Sequence, residues 1–184
     1  GVGGMGGGRA GGRAGRGGVC LASGGSGEVA RRRRKRGVGA GVAGTLDEGV
    51  AMAGEAKKAG RARGIGVLGN AAELFPTAVA KGWRPDIVSE MCPCLEPLSY
   101  IPTGYTLDEA ARLRKDDLML YIEKAHDSMK SQLRAMNDFY DEGIPTFEYG
   151  TYIRKECIDS GMPVDETMHI PGFLAEYIRP MFLM

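Results

Sequence analysis

The chain has 184 residues, a length that suits one domain with a sizeable core and leaves little room for a second. It has no run of about 18 apolar residues and no charged-then-apolar leader, so the sequence predicts neither a membrane-spanning helix nor a secretory signal. The net charge of +1 hides a division, because residues 1–44 carry +8 and 18 of the 30 glycines, whereas residues 45–184 carry −7.

The first 44 residues begin with a glycine motif. Gly1-Val2-Gly3-Gly4-Met5-Gly6 satisfies G-x-G-x-x-G, in which glycines let backbone amides approach a pyrophosphate at a helix start. The motif is weak evidence here, because so glycine-rich a segment can match by chance and no strand precedes it. Residues 19–22 are a candidate for the second strand, but Ser23-Gly24-Gly25 stands where a ribose-binding acid is expected.

A run of six bases at residues 31–36 raises the alternative of nucleic-acid binding. No aromatic residue lies between Gly1 and Asn70 to stack on a base, and Arg/Gly tracts of this kind are typical of solvated, disordered segments. Nucleic-acid binding is therefore the least favoured function, and we expect residues 1–44 to be the least ordered part of the chain.

From Thr45 onward, helix and strand signals alternate. Thr45-Leu46-Asp47-Glu48 is a capping box that predicts a helix ending near Gly60. Residues 64–69 form a short apolar run typical of a buried strand. Asn70 then caps a predicted helix over residues 71–81, which contains Pro76, and residues 85–89 read as the next strand. This order predicts a parallel sheet with helices on its faces, with Gly69-Asn70-Ala71 and residues 89–94 at its ligand-binding edge.

The second half continues the pattern. Thr106-Leu107-Asp108-Glu109 is another capping box, and it opens a predicted helix running to about Asp141. Gly143 ends that helix, residues 145–149 read as a strand, a helix follows to Ser160, and residues 173–178 form a last turn or two. The long helix carries an apolar stripe that should pack against the sheet: Leu118, Ile122, Ala125, Met129, Leu133, Met136 and Tyr140.

The thiols and histidines show no metal-site pattern. Cys20, Cys92, Cys94 and Cys157 lack the C-x-x-C spacing of a zinc site, so we expect reduced thiols, a cytoplasmic protein and no metal. His126 falls mid-helix and His169 in a loop, and both are interpreted as structural. The chain begins at Gly1 rather than Met and stops among apolar residues at Met184, so we expect a fragment.

Five segments in register resemble urocanate hydratase (urocanase). They are Gly69-Asn70-Ala71-Ala72-Glu73, Gly82-x-x-Pro85-Asp86-Ile87-Val88, Glu96-Pro97-Leu98-x-Tyr100-Ile101-Pro102-x-Gly104, Phe147-Glu148-Tyr149-Gly150-x-x-Ile153-Arg154, and Pro171-Gly172-Phe173-Leu174-x-x-Tyr177-Ile178-Arg179-Pro180. Each segment is ordinary alone, but their order and spacing together are not. The glycine opening and the helix after Thr45 fit more faintly, so the resemblance spans nearly the whole chain.

The resemblance implies an NAD-dependent lyase of histidine degradation. In that family NAD⁺ is a tightly held electrophile that the urocanate imidazole attacks, water adds, and imidazolonepropionate leaves without net hydride transfer. Carried over to this chain, the cofactor contacts would be Gly4, Met5, Gly6, Asn70, Ala71, Met91, Cys92, Pro93, Cys94, Tyr100, Ile101 and Tyr149. The family's catalytic cysteine lies beyond the end of this chain, so none of its cysteines is assigned that role.

Several positions depart from the family's usual residues. Leu95 replaces a histidine and cannot hydrogen-bond, Thr151-Tyr152 stands for two asparagines, Arg9-Ala10 for Gln-Pro, and Gly24 for an acid. Each loss removes a polar cofactor contact worth about 0.5–1.5 kcal/mol.

We therefore predict an α/β, Rossmann-like parallel sheet with flanking helices, incomplete at both ends. Residues 1–44 would be the degraded first part of the Rossmann-like unit, and residues 45–184 the NAD-binding domain. The predicted function is that of a urocanate hydratase family member that is homodimeric like the family. We expect this chain by itself not to turn over urocanate. The main alternative is a non-catalytic relic that binds NAD weakly or not at all and serves as an interaction module.

Overall fold

The computed structural model describes residues 19–24, 41–61, 63–92 and 94–182. Gly4, Met5, Gly6, Pro93 and the basic run at residues 31–36 lie outside the described residues. The chain divides into two compact units, Val2–Leu74 and Phe75–Met184.

The first unit contains a parallel three-stranded sheet. Its strands are β1 (Val19–Gly24), β2 (Gly41–Ala43) and β3 (Arg63–Leu68), in the order β1-β3-β2. Helix α1 (Leu46–Lys58) connects β2 to β3 and contacts the sheet. Parallel neighbours joined through a helix make this the α/β, Rossmann-like arrangement that the sequence predicts.

The core of this unit explains which residues became strands. Ala43, Ile65 and Val67 are buried together, with Met52 of α1 and Leu74 packed against them. Alternate residues of β3 thus face one apolar layer, as a strand under a helix requires. The predicted strands at residues 19–22 and 64–69 are confirmed, whereas the three-residue β2 is too short to give a sequence signal.

The start of α1 follows its predicted cap with one change. The Thr45 hydroxyl accepts a hydrogen bond from the Glu48 amide at 3.2 Å. The Glu48 carboxylate accepts from the Gly44 amide at 2.8 Å rather than from Thr45. The helix ends at Lys58, and Gly60 takes the left-handed conformation with a φ of 60° that commonly follows helix ends.

Helix α2 (Ala71–Ala80) follows β3 after two residues and contains Pro76, as predicted. Gly82 has a φ of 67° just past its end, which explains why the chain leaves the helix there. The boundary between the two compact units falls within α2, after Leu74.

The second unit has a separate two-stranded parallel sheet, formed by β4 (Val88–Glu90) and β5 (Thr146–Glu148). The parallel pairing in each unit agrees with the predicted parallel α/β arrangement, and in the second unit the partner of β4 is β5. Alternation along the chain indicates strands but does not choose their partners. Strand β4 also begins at Val88 instead of Pro85, since proline has no amide to donate to a ladder.

The long predicted helix is in fact two helices, α3 (Leu107–Asp116) and α4 (Leu118–Asp141). Asp117 breaks the run with a φ of −144°, and its carboxylate accepts the Leu120 amide at 2.9 Å to cap α4. Asp can offer the backbone this non-helical alternative. The capping box at Thr106 and Glu109 starts α3 as predicted.

The apolar stripe of α4 is buried only in its middle. Ala125, Met129, Leu133 and Met136 are buried, whereas the two ends of the predicted stripe, Leu118 and Tyr140, are 47% and 40% exposed. Phe139 takes the buried position that Tyr140 was expected to fill. The buried face of the helix, which packs against α3, α5, α6 and β5, also includes residues outside the predicted stripe: Tyr121, Ser128, Gln132, Ala135, Asn137 and Phe139.

The remaining elements are α5 (Ile153–Asp159), α6 (Val164–Thr167), a π-helical turn (Leu174–Ile178) and α7 (Arg179–Phe182). A 3₁₀ turn (Pro97–Ser99) lies between β4 and α3. Among the described residues, no helix combines the length and apolar character that crossing a membrane requires.

Candidate functional site

The junction between β3 and α2 is the first candidate contact region for a ligand. Leu68 ends the central strand of the first sheet, Gly69 and Asn70 make the turn, and Ala71 starts the helix. The Asn70 side-chain oxygen accepts the Ala72 amide at 3.0 Å, and its carbonyl oxygen accepts the amides of Glu73 and Leu74. Asn70 therefore holds the first turn of α2 in place.

The geometry of this junction suits a polar, negatively charged group. It lies at the carboxyl end of a parallel strand, where ligands bind in such sheets. A helix N-terminus adds partial positive charge and amide donors. A Cβ at Gly69 would lie 3.1–3.2 Å from the Leu74 side chain, so a glycine permits this close turn.

The loop after β4 holds the next group of predicted cofactor contacts. The side chains of Cys92 and Cys94 are buried inside the second unit, Met91 is half-buried, and Leu95 is 69% exposed. The Cys92 amide donates to the Glu90 carboxylate at 2.7 Å, and the Cys94 amide donates to the Cys92 carbonyl at 2.9 Å. This tight turn directs both thiols inward, so a ligand outside the loop would meet backbone and Leu95.

Tyr100 belongs to the interior as well. Its hydroxyl donates to the Gln132 side-chain oxygen at 2.6 Å, and its carbonyl accepts the Tyr121 hydroxyl at 2.9 Å. Burial raises the pKa of Tyr100 well above its usual value, with a further rise from the nearby thiols. Its phenol is thus a neutral donor committed to Gln132, while the neighbouring Ile101 is half-buried.

Tyr149 lies just after β5, on an aromatic cluster. Its ring stacks on that of Phe173, with centroids 4.6 Å apart and planes 18° apart. Phe173 in turn contacts Phe147 and Tyr177. Tyr149 is half-buried, so part of this aromatic surface faces outward, where a planar ring could lie.

Two buried carboxylates lie beneath the loops of the second unit. Glu90 and Glu148 are register partners on β4 and β5, and each is almost fully buried. Glu148 is neutralised by Arg154, whose Nη2 donates to Oε2 at 2.9 Å. Burial raises the pKa of Glu90, and the charge of Glu148 adds to the rise, whereas hydrogen bonds from Cys92 and Thr151 oppose it.

Glu90, Cys92 and Cys94 bring three potential metal ligands together. Their carboxylate oxygen and two sulfurs all lie within 4.8 Å of one another. A hydrogen bond with Cys92, followed by burial, raises the pKa of Cys94 far above its usual value. The thiol of Cys157, also buried, has its pKa raised to about 12 by burial.

The histidines make short polar contacts. His126 lies 3.3 Å from the Glu156 carboxylate, and His169 lies 2.5 Å from Asp141. Each is an ion pair or hydrogen bond between helices and adjoining loops, in keeping with the structural interpretation of the sequence.

The described site residues thus fall into two sets. Asn70 and Ala71 belong to the first unit; Met91, Cys92, Cys94, Tyr100, Ile101 and Tyr149 belong to the second. Glu90, Gln132 and Thr151 hold the second set from inside. The sequence placed Glu90 at the predicted ligand-binding edge and marked Thr151 as a departure from the family's residues. It gave no role to Gln132, whose one signal is its position beside Leu133 in the buried part of a helical stripe.

The chain was also compared with protein families. A family model described as the urocanase Rossmann-like domain matches residues 1–177. The match includes the β3–α2 junction, the loop after β4 and the aromatic cluster up to Tyr177.

Proposed function

Because the chain belongs to the urocanase family, we propose that it binds NAD⁺ and forms the dinucleotide-binding part of a urocanate hydratase. The complete enzyme would convert urocanate and water to imidazolonepropionate in histidine degradation. Urocanate as substrate and a homodimeric assembly belong to the same proposal. The resemblance assigns the family's catalytic role to none of the cysteines in this chain, so we expect this chain alone to bind cofactor without turnover.

The β3–Gly69–Asn70–α2 junction is the observation that carries this proposal. It combines a central parallel strand, a close glycine turn and the N-terminus of the ten-residue helix α2. Backbone amides in this arrangement favour phosphate or carboxamide oxygens over cations. The residues present therefore fit a dinucleotide at this place.

The chain's own residues would bind and orient the cofactor. NAD⁺, when bound, supplies the electrophilic nicotinamide ring of the family's reaction. Asn70 would fix the start of α2, since it accepts the amides of Ala72, Glu73 and Leu74, and the small Ala71 would leave room for the cofactor beside it. The resemblance assigns further cofactor contacts to residues of the second unit; there the thiols of Cys92 and Cys94 face inward, and the Tyr149 ring is half-buried.

A calorimetric titration of the purified chain with NAD⁺ tests the proposal. We expect a dissociation constant in the micromolar range, which corresponds to a binding free energy of about −8 kcal/mol. Asn70→Ala removes one cap bond and one polar contact, so affinity should fall about 3- to 10-fold. Thr106→Ala is the matched control, because it removes a comparable helix cap from α3 and should leave NAD⁺ affinity unchanged.

One result of this titration would contradict the proposal. Absence of heat at millimolar NAD⁺, from a chain with a cooperative unfolding transition, would contradict cofactor binding and favour a non-catalytic relic. The exposure of Leu95, where the family has a hydrogen-bonding histidine, is the observation that supports this second candidate. Under it, Leu95→His should restore measurable NAD⁺ binding.

A further inference from the structure

The turn after β4 places three metal-binding groups on one side of the backbone. Glu90 ends the strand, and the hydrogen bond from the Cys94 amide to the Cys92 carbonyl, 2.9 Å long, folds the next residues back. The Glu90 carboxylate and the two sulfurs are mutually within 4.8 Å and all buried. We propose that Glu90, Cys92 and Cys94 form a zinc-binding site.

The donor set selects the metal. Two thiolates favour a soft or borderline ion, and a carboxylate is an accepted third ligand for Zn²⁺. Zinc–sulfur bonds of about 2.3 Å place two sulfurs of a tetrahedral site about 3.8 Å apart. Side-chain rotations that move the ligand atoms by about 1 Å would therefore bring the present cluster to bonding distance from one ion. Three protein ligands leave the fourth position for water or an added ligand.

Neighbouring donors are arranged for negatively charged ligands. The Gln132 amide nitrogen lies 3.1 Å from the Cys92 sulfur, in position to donate to a thiolate. Tyr100 fixes that orientation, because its hydroxyl donates to the Gln132 oxygen at 2.6 Å. Such outer partners hold ligands in place and tune the metal in protein sites.

The carboxylate ligand has donors of its own. The Cys92 amide donates to one Glu90 oxygen at 2.7 Å, and the Thr151 hydroxyl donates to the other. Each oxygen keeps a second lone pair for an ion. Two thiolates and one carboxylate around Zn²⁺ would leave a net charge of −1, which the three donors from Gln132, Cys92 and Thr151 help to offset.

Cys157 offers a control within the same unit. It is as buried as Cys94, yet among the described residues it belongs to no group of three potential ligands. Its substitution removes a buried thiol without touching the proposed ligands. A purely structural role for the thiols would make all three cysteines behave alike.

Cobalt titration of the reduced, metal-free full chain is the test. Co²⁺ bound by thiolates gives sulfur-to-metal charge-transfer absorption in the near ultraviolet, and Zn²⁺ should displace it at one equivalent. We expect Cys92→Ser and Cys94→Ser to abolish the band and weaken zinc binding at least 100-fold. Glu90→Gln and Gln132→Leu should weaken it about 10- to 100-fold, and Cys157→Ser should change nothing.

Three results would overturn the proposal. The first is that the chain shows no charge-transfer band at millimolar Co²⁺. The second is that the band survives in Cys94→Ser, and the third is that Cys157→Ser loses as much metal binding as the ligand variants do.

Circular dichroism of every variant shows whether it folds. If the serine variants do not fold, cadmium-113 NMR of the unaltered chain decides, because two sulfur ligands give a chemical shift distinct from that of oxygen ligation. NAD⁺ titration of the same samples is a separate readout, so either site can fail alone.

Discussion

Glu90 and Glu148 lie opposite each other on adjacent parallel strands, and both carboxylates bind the same residue, Thr151. Glu90 accepts the Thr151 hydroxyl, and Glu148 accepts its amide at 2.6 Å. Like charges on neighbouring strands repel, so the donors between them matter. Thr151 ties the segment after β5 to the end of β4 and thereby links the two loops of the second unit.

Loss of the Thr151 hydroxyl should destabilise this link. Thr151→Val keeps the branched shape and the amide but leaves Glu90 one donor short. Leaving a buried acceptor unsatisfied costs about 1–3 kcal/mol of unfolding free energy, measurable by urea denaturation. Thr151→Ser retains the hydroxyl and should lose less than half as much. An equal loss in both variants would point to packing instead of the hydrogen bond.

The Arg154–Glu148 pair should contribute far more than a surface pair. Arg154→Met leaves Glu148, only 5% exposed at its side chain, as an uncompensated buried charge. Removing one partner of a buried pair costs about 3–5 kcal/mol. Arg134→Met breaks the exposed pair with Glu166 and should cost less than about 1 kcal/mol. Chemical denaturation of both variants measures the two losses of unfolding free energy. Similar losses would contradict the assignment of Arg154–Glu148 as a buried pair and Arg134–Glu166 as an exposed one.

Glu109 should contribute to stability in a pH-dependent way. Hydrogen bonds from the Thr106 amide and hydroxyl lower the pKa of Glu109 below its usual 4.5. A carboxyl whose folded pKa is lowered stabilises the fold above its unfolded pKa, and that contribution disappears as pH falls through the folded value. The unfolding midpoint of Glu109→Gln should therefore be lower than that of the unaltered chain at pH 7, and the difference should be smaller at an acidic pH below 4.5. A gap that is the same at both pH values would contradict this.

Cys157 should be unreactive until the chain unfolds. Burial raises the pKa of its thiol to about 12, so almost no thiolate exists at pH 7.5, and the thiolate is the reactive form. Iodoacetamide with peptide mass spectrometry should show slow labelling of Cys157 in buffer and complete labelling in urea. Fast labelling in buffer would mean that the thiol is accessible in the folded chain.

Local signals predicted most of the helices and strands. The caps at Thr45, Asn70 and Thr106 and the stop at Gly143 act within a few residues, so they can be read directly from sequence. The break at Asp117 was missed, because the apolar spacing continues on both sides of it. The pairing of β4 with β5 could not be read from the sequence, because strand pairing depends on contacts between distant segments.

The candidate site was predictable only where it is local. Asn70 lies at a strand end and a helix start, and both are visible in the sequence. The sequence does not indicate that Glu90 and Gln132 are buried or that Thr151 bonds to Glu90. These arrangements depend on partners 32 to 61 residues away, such as Tyr100 for Gln132 and Glu90 for Thr151.

The short sheet of the second unit has a consequence for how the chain folds. Val88 and Thr146 are register partners, so 57 residues must be enclosed before a three-residue ladder gains its first hydrogen bonds. Closing such a loop is entropically unfavourable, whereas α4 gains its contacts locally. We expect α4 to form early and β4 to pair late. During synthesis, Cys92 and Cys94 would thus stay open to solvent longest, which is when a metal ion or an oxidant can reach them.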